Sequence, residues 1–529
     1  MVGVPKRSKA CSTCRRRRKC CDEKRPFCGQ CTLSRIPCGG YDQDRIFINS
    51  SEKHATTENK QYRFKPAAYS AANSSSSLST SFAPVNAVQT YAYVSAQGQI
   101  SSPVLHTSLE RTAHETKCLE VYWTSLLPYG QAFPPQAASY STTGWTGAIQ
   151  ELYQRNPLVR TVLLASGLTL TAQRTGCQSL MAQGRRLYGS SLQMMAYFLE
   201  HKKLRHWDSI LAASGALAGY ELLVGTDEQT AWLSAPTWLR HTSGEVAIML
   251  AGGPESFTKG HGHQFFVDYR LHLIFPYLQN RKRCPLSSVE WKTIPWSIHP
   301  KSHKDQLIDV LVELPGILED IETLETLSNQ PEKQLLFHDL EERSWWCDSQ
   351  LLSWSTSCGE DVVTFIEKII AVPNLEDVSV ASAPLSIDLA KAHLGMIYWT
   401  TYNMVSQILS WVRAANPSKE KTALLPPRLD AHMYSRKVAL LIPYFKNPGV
   451  GSYLVSFIGF PVTVAASFLL RQSSAETSSE ARALLIKAFR GEQGKRLQDF
   501  LASWPWTTRA ELETLGLMEH EAAVDQASI

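Results

Sequence analysis

The chain has 529 residues, 44% hydrophobic and 10% aromatic, with a formal charge of +5. That length gives room for about two to four domains and a large buried core. The ordinary composition excludes a wholly disordered chain, a collagen-like repeat and a coiled-coil rod.

The charge is unevenly spread. Residues 1–40 hold eleven Lys and Arg against two acids, Asp22 and Glu23, so this tip carries +9 and the remainder −4. A basic head on a slightly acidic body points to a polyanion-binding tip. Seven of the twelve cysteines lie between Cys11 and Cys38. Met1 runs into charge at Lys6 without an apolar stretch, so no secretory signal is read there. In a reducing compartment, cysteines clustered in this way bind metal rather than pair as disulfides.

Cys11, Cys14 and Cys21 are spaced C-x2-C-x6-C, and Cys28, Cys31 and Cys38 repeat the spacing 17 residues later. The repeat selects Cys21 over its neighbour Cys20, which is left as a spare thiol. No histidine precedes His54, so the ligand set is all-thiolate. Zinc favours four tetrahedral ligands, and six thiolates satisfy two zinc ions when two of them bridge. So short a tip has almost no apolar core, and metal binding must supply its folding free energy. A bare structural knot, of zinc or of disulfides, would have no use for the basic run Arg15–Lys19 between ligands.

Residues 11–41 resemble the fungal binuclear zinc-cluster transcription factors: every cysteine spacing fits, basic residues fill the second gap, and Pro26 precedes the fourth cysteine. The resemblance implies that Cys11 and Cys28 bridge, that the target is a CGG-type triplet of double-stranded DNA, and that the chain acts in the nucleus. A short helix over Cys14–Lys19 is expected. By the same resemblance Arg17 and Arg18 are the candidates to read bases through arginine–guanine pairs. Lys9, Arg15, Lys19, Lys24 and Arg25 are then candidates to contact phosphates. The family commonly has Lys before the third cysteine; this chain has Cys20, with Lys19 adjacent. Three base pairs cannot address a genome, so a dimer or a partner protein is implied.

Residues 46–115 read as a disordered Ser/Thr-rich linker: no charged side chain occurs from Pro66 to Leu109, and seven of the twelve residues Ser70–Ser81 are Ser. From 116 to 508 the pattern is helical, and an all-α regulatory domain is expected. The clearest segments are Leu158–Ala172, Cys177–Leu199, Trp207–Val224, Ser234–Leu250, Phe265–Gln279, Lys304–Leu327, Ile387–Val412, Gly451–Leu470 and Ser479–Ser503. Residues 509–529 read as a flexible acidic tail. The 24 uncharged residues Asn447–Leu470 are long enough to span a bilayer. Pro448, Pro461 and scattered Ser and Gly favour a buried helix instead.

The competing reading is an enzyme or ligand-binding helical protein with an appended nucleic-acid tip. No GxSxG elbow or phosphate loop is present, and HEAAV at His520 lacks the second histidine of a zinc protease. His261 and His263 are expected in a glycine-flanked loop, and Pro300 separates His299 from His303. Trp345, Trp346 and Trp354 are expected to be packing residues. The phrase Thr237–Arg270 is similar to the helical regulatory domain that accompanies such zinc clusters, which implies autoinhibition, effector sensing or coactivator contact.

Overall fold

In the computed structural model, the residues described are 10–24, 28–34, 36, 38, 107–200, 207–224, 234–372, 384–415, 424–445, 447–451, 453–471 and 483. The chain divides into two compact units, residues 1–117 and 118–529. Among the described residues every regular element is helical, with no strand.

The first unit contains two single-turn helices, α1 (Ser12–Arg16) and α2 (Gly29–Leu33). Its buried side chains centre on Cys11, Cys14, Cys28 and Cys31, with Cys21 and Cys38 packed against them. Sulfur takes the place of a hydrocarbon core.

The helix α3 (Thr107–Leu126) begins inside the stretch expected to be linker. The second unit continues with α4 (Trp145–Arg155), α5 (Pro157–Thr175), α6 (Gln178–Glu200), α7 (Trp207–Val224), α8 (Ser234–Gly252) and α9 (Gly260–Asn280). There follow α10 (Val289–Thr293), α11 (His303–Leu311), α12 (Leu314–Thr326), α13 (Gln330–Ser355), α14 (Glu360–Ile370), α15 (Ser386–Ala415), α16 (Ala431–Leu441) and α17 (Tyr453–Arg471). One continuous apolar core runs through this unit. Two neighbourhoods dominate it: α5 packs on α6 and α7, and α7 on α8; farther along, α15 packs against α13, α14, α16 and α17.

Local chemistry sets the boundaries. Asn156 caps α5 by accepting from the Leu158 and Val159 amides, with Pro157 as the first helical residue and left-handed Gly176 at its end. Ser302 and Asp305 form a reciprocal capping box at the start of α11. The segment expected as one helix over Lys304–Leu327 is two, because Pro315 opens the first turn of α12, where its missing N–H costs nothing.

Three expectations change. His261 and His263 lie in the first turn of α9 rather than in a loop. Gly260 opens the helix at φ 66, a backbone conformation that favours glycine, and His263 packs on His299 with ring centroids 4.8 Å apart. Trp346 is 42% exposed, whereas Trp354 is buried and donates its indole N–H to the His303 carbonyl. The helices α4, α13, α14 and α16 lie outside the clearest sequence segments. Among the described residues no helix is long and apolar enough to cross a membrane. Residues 46–106, the expected helix Ser479–Ser503 (Ala483 apart) and the tail 509–529 lie outside the described residues.

The Thr237–Arg270 phrase becomes most of α8, a turn at Gly253–Pro254 and the first half of α9. Arg270 is fully buried, bonded to Asp309 at 2.5 Å and stacked 4.5 Å from the Trp296 ring. Asp268 accepts from Lys304 at 2.9 Å, from the Gln264 amide at 2.7 Å and from the Trp145 backbone at 2.6 Å. Gly144 permits that last approach, since a Cβ there would meet the Gln264 amide at 2.3 Å. These bonds offset part of the cost of burying charged groups this deeply.

Candidate metal centre

The 17-residue repeat in the sequence is also a repeat of geometry. In the first half the Cys14 amide donates to Cys11 Sγ at 3.3 Å, and in the second the Cys31 amide donates to Cys28 Sγ at 3.2 Å. Each sulfur acts as an N-cap, taking the place that Ser or Asp oxygen occupies in ordinary helices. The Cys11 amide reaches Cys21 Sγ at 3.4 Å, and the Cys28 amide reaches Cys38 Sγ at 3.5 Å. The turn closing α1 is a six-residue bond from the Lys19 amide to the Cys14 carbonyl, matched after α2 by Ile36 to Cys31.

These bonds converge the sulfurs. Cys11, Cys14, Cys21 and Cys28 form one quartet, and Cys11, Cys28, Cys31 and Cys38 a second. Within each, the sulfurs lie within 4.8 Å of one another. Four contacts among the inner sulfurs measure 3.5–3.8 Å. A zinc–sulfur bond of about 2.3 Å places tetrahedral sulfurs about 3.8 Å apart. The two quartets share Cys11 and Cys28 and no other residue. The donor set therefore fits two ions held by six thiolates, and Cys20 is in neither quartet and exposed. Among the described residues, which include all twelve cysteines, no disulfide forms.

Burial pushes the Cys11, Cys14, Cys28 and Cys31 thiols above their ordinary range. Zinc binds the thiolate form, so metal uptake releases protons.

The helix expected over Cys14–Lys19 lies earlier, at Ser12–Arg16. The sulfur cap fixes its start, and Arg18, left-handed at φ 53, fixes its end. Arg17 and Arg18 therefore sit in the turn beyond the helix rather than on its face. Arg16, Arg17, Arg18, Lys19 and Lys24 are exposed. Arg15 is in the last turn of α1, while Lys9 and Arg25 lie outside the described residues.

One contact was not singled out from the sequence. Asp22 Oδ1 accepts from the Gly29 amide at 2.7 Å, joining the residue after the third cysteine to the residue after the fourth. The acid and the glycine at those two positions were its only sequence signal.

Residues 9–45 match the fungal Zn(2)-Cys(6) binuclear cluster domain. The sterol uptake control protein 2 of Candida albicans (strain SC5314 / ATCC MYA-2876) is 36% identical over 77 residues, covering 14% of this chain and 11% of that protein. No solved structure matches the chain.

Proposed function

With residues 9–45 forming a fungal Zn(2)-Cys(6) binuclear cluster domain, a unit that holds two zinc ions, we propose that the chain is a sequence-specific DNA-binding regulator of transcription by RNA polymerase II. The observation that supports this most is the pair of thiolate quartets sharing Cys11 and Cys28, with Arg16–Lys19 exposed on the turn they hold. Cys11, Cys14, Cys21, Cys28, Cys31 and Cys38 are assigned as zinc ligands, Cys11 and Cys28 bridging. Bound zinc supplies the charge that keeps the six sulfurs deprotonated and replaces an apolar core.

The protein's own groups do the reading. Arg17 and Arg18 project from a turn whose backbone is fixed by the Lys19–Cys14 bond, so a guanidinium can offer its two donors to one guanine edge. Arg15, Lys19, Lys9, Lys24 and Arg25 are assigned to phosphates, which place the module without reading sequence. The site is a CGG-type triplet; a second half-site, through a homodimer, heterodimer or partner protein, supplies the remaining specificity. The helical unit is assigned a regulatory role with the transcription machinery or a coactivator, in the nucleus and without catalysis. Control of a metabolic or secondary-metabolite gene cluster is the programme we propose for it.

Selection of binding sites from random duplex DNA by the full chain tests the base-reading assignment. Arg18→Ala is expected to lose about 1–3 kcal/mol of discrimination at one base pair. Lys19→Ala should weaken all sequences alike and lower the salt slope by about one. Unchanged preference in Arg18→Ala would remove Arg18 from base reading. Titrating the metal-free chain with zinc in weak buffer should acidify the solution, as the cysteine thiols give up protons to bind it. Zinc uptake with no proton release would contradict the thiolate ligand set.

A further inference from the structure

We propose that Asp22 is a positioning residue: its carboxylate ties the backbone after Cys21 to Gly29 at the start of α2 and slows the loss of zinc. The proposal rests on the two-zinc reading above.

Asp22 follows Cys21, which belongs to the first quartet alone. Gly29 is the first residue of α2 and follows Cys28, which belongs to both quartets. The Asp22–Gly29 bond therefore ties the outer ligand of one quartet to the helix carrying Cys31, an outer ligand of the other. It joins residues 22 and 29 without passing through a sulfur. The Gly29 amide would otherwise have no intrahelical acceptor, being at the first turn. A carboxylate accepting it makes a charge-assisted bond.

Two independent features point to the same contact. A Cβ on residue 29 would lie 2.3 Å from Asp22 Oδ2, so the glycine is what lets the carboxylate seat. Next to Asp22, Glu23 holds φ 56, a left-handed conformation unfavourable for a residue with a side chain. Such strain persists where surrounding contacts enforce it. The latch is the contact immediately beside it. The 17-residue repeat gives it no charged twin: the position equivalent to Asp22 in the second half is Gly39.

Zinc loss from the full chain to excess chelator, followed with a chromogenic zinc indicator, tests this. Asp22→Ala is expected to release zinc about 10–100-fold faster, the scale on which groups supporting metal ligands act. Asp22→Asn keeps an acceptor oxygen for the Gly29 amide but not its charge, and should release zinc at a rate between wild type and Asp22→Ala. Gly29→Ala should match Asp22→Ala by pushing the carboxylate off its seat. Combined, the two should release zinc no faster than either alone, since both break one contact. Glu23→Gly added to Asp22→Ala should recover part of the loss by relieving the left-handed residue. Wild-type release from Asp22→Ala, or effects of Asp22→Ala and Gly29→Ala that multiply, would overturn the latch. A wild-type chain that holds other than two zinc ions would overturn the two-zinc reading beneath it.

Discussion

Replacing Cys28 with Ser is expected to cost the chain both zinc ions, and with them its sequence-specific DNA binding. Cys28 is in both quartets, 3.5 Å from Cys11 and 3.5 Å from Cys14, so its loss leaves each ion one thiolate short. It also caps α2 through the Cys31 amide, and among the described residues the cluster around it is cysteine with Ala10 packed against it. Structural zinc contributes about 10–16 kcal/mol of apparent binding free energy in small zinc-folded modules, far more than a core of this size could replace. Affinity for the selected site should fall to the non-specific level, a drop of about 1,000-fold or more. Zinc content should fall from two per chain to near zero. Cys38→Ser is the informative contrast, because Cys38 belongs to the second quartet alone. It should leave one ion held more firmly than the other. Helical circular dichroism of the second unit should be unchanged, since its core is a separate cluster of side chains. If Cys28→Ser retained two zinc ions per chain, the shared-sulfur arrangement would be wrong.

The metal centre was legible in the sequence because its information is local. Six cysteines at a duplicated spacing specify which sulfurs meet, and short-range amide-to-sulfur bonds carry out the specification. What spacing could not convey was the backbone inside the first repeat. A short helix is expected over Cys14–Lys19, yet the cap at Cys11 sets the turn early and Arg18 ends it in a left-handed conformation. Asp22 was hidden for a related reason: its partner is seven residues away, on the far side of the fourth ligand cysteine.

In the helical unit, strongly apolar segments such as Trp207–Val224 and Ile387–Val412 stood out. These became α7 and α15, at the centres of the two packing neighbourhoods. Helices of mixed polarity were less visible. Gln330–Ser355 is 26 residues long, but its exposed acids, Trp346 and Leu335 blur the apolar stripe. His261 and His263 misled because flanking glycines usually signal a loop, whereas here the long apolar run from Phe265 extends the helix back over them. The pairing of Asp268 with Lys304 spans 36 residues and joins two helices, and no local pattern announces it.

That pair carries the largest expected effect in the helical unit. Asp268 is 2% exposed and Lys304 is 2% exposed, so neither charge can turn to solvent. Burial alone would push the Lys304 ammonium down, but Asp268 and Asp305 outweigh it and hold the group above its ordinary range. Asp268→Ala should therefore strand a buried cation, and also orphan the Trp145 amide at the start of α4 and the Gln264 side chain on α9. Removing one member of a buried ion pair costs about 3–5 kcal/mol. Lys304→Met should cost less, because Asp268 keeps two of its three donors and the methionine stem fills the ammonium's path. The Asp268→Leu, Lys304→Met double substitution should recover much of the loss by leaving no unpaired charge. Denaturant unfolding followed by helical circular dichroism gives the ordering, with Asp268→Ala lowest in midpoint. A loss below about 1 kcal/mol in Asp268→Ala would mean that water reaches Lys304 and that this corner of the core is open.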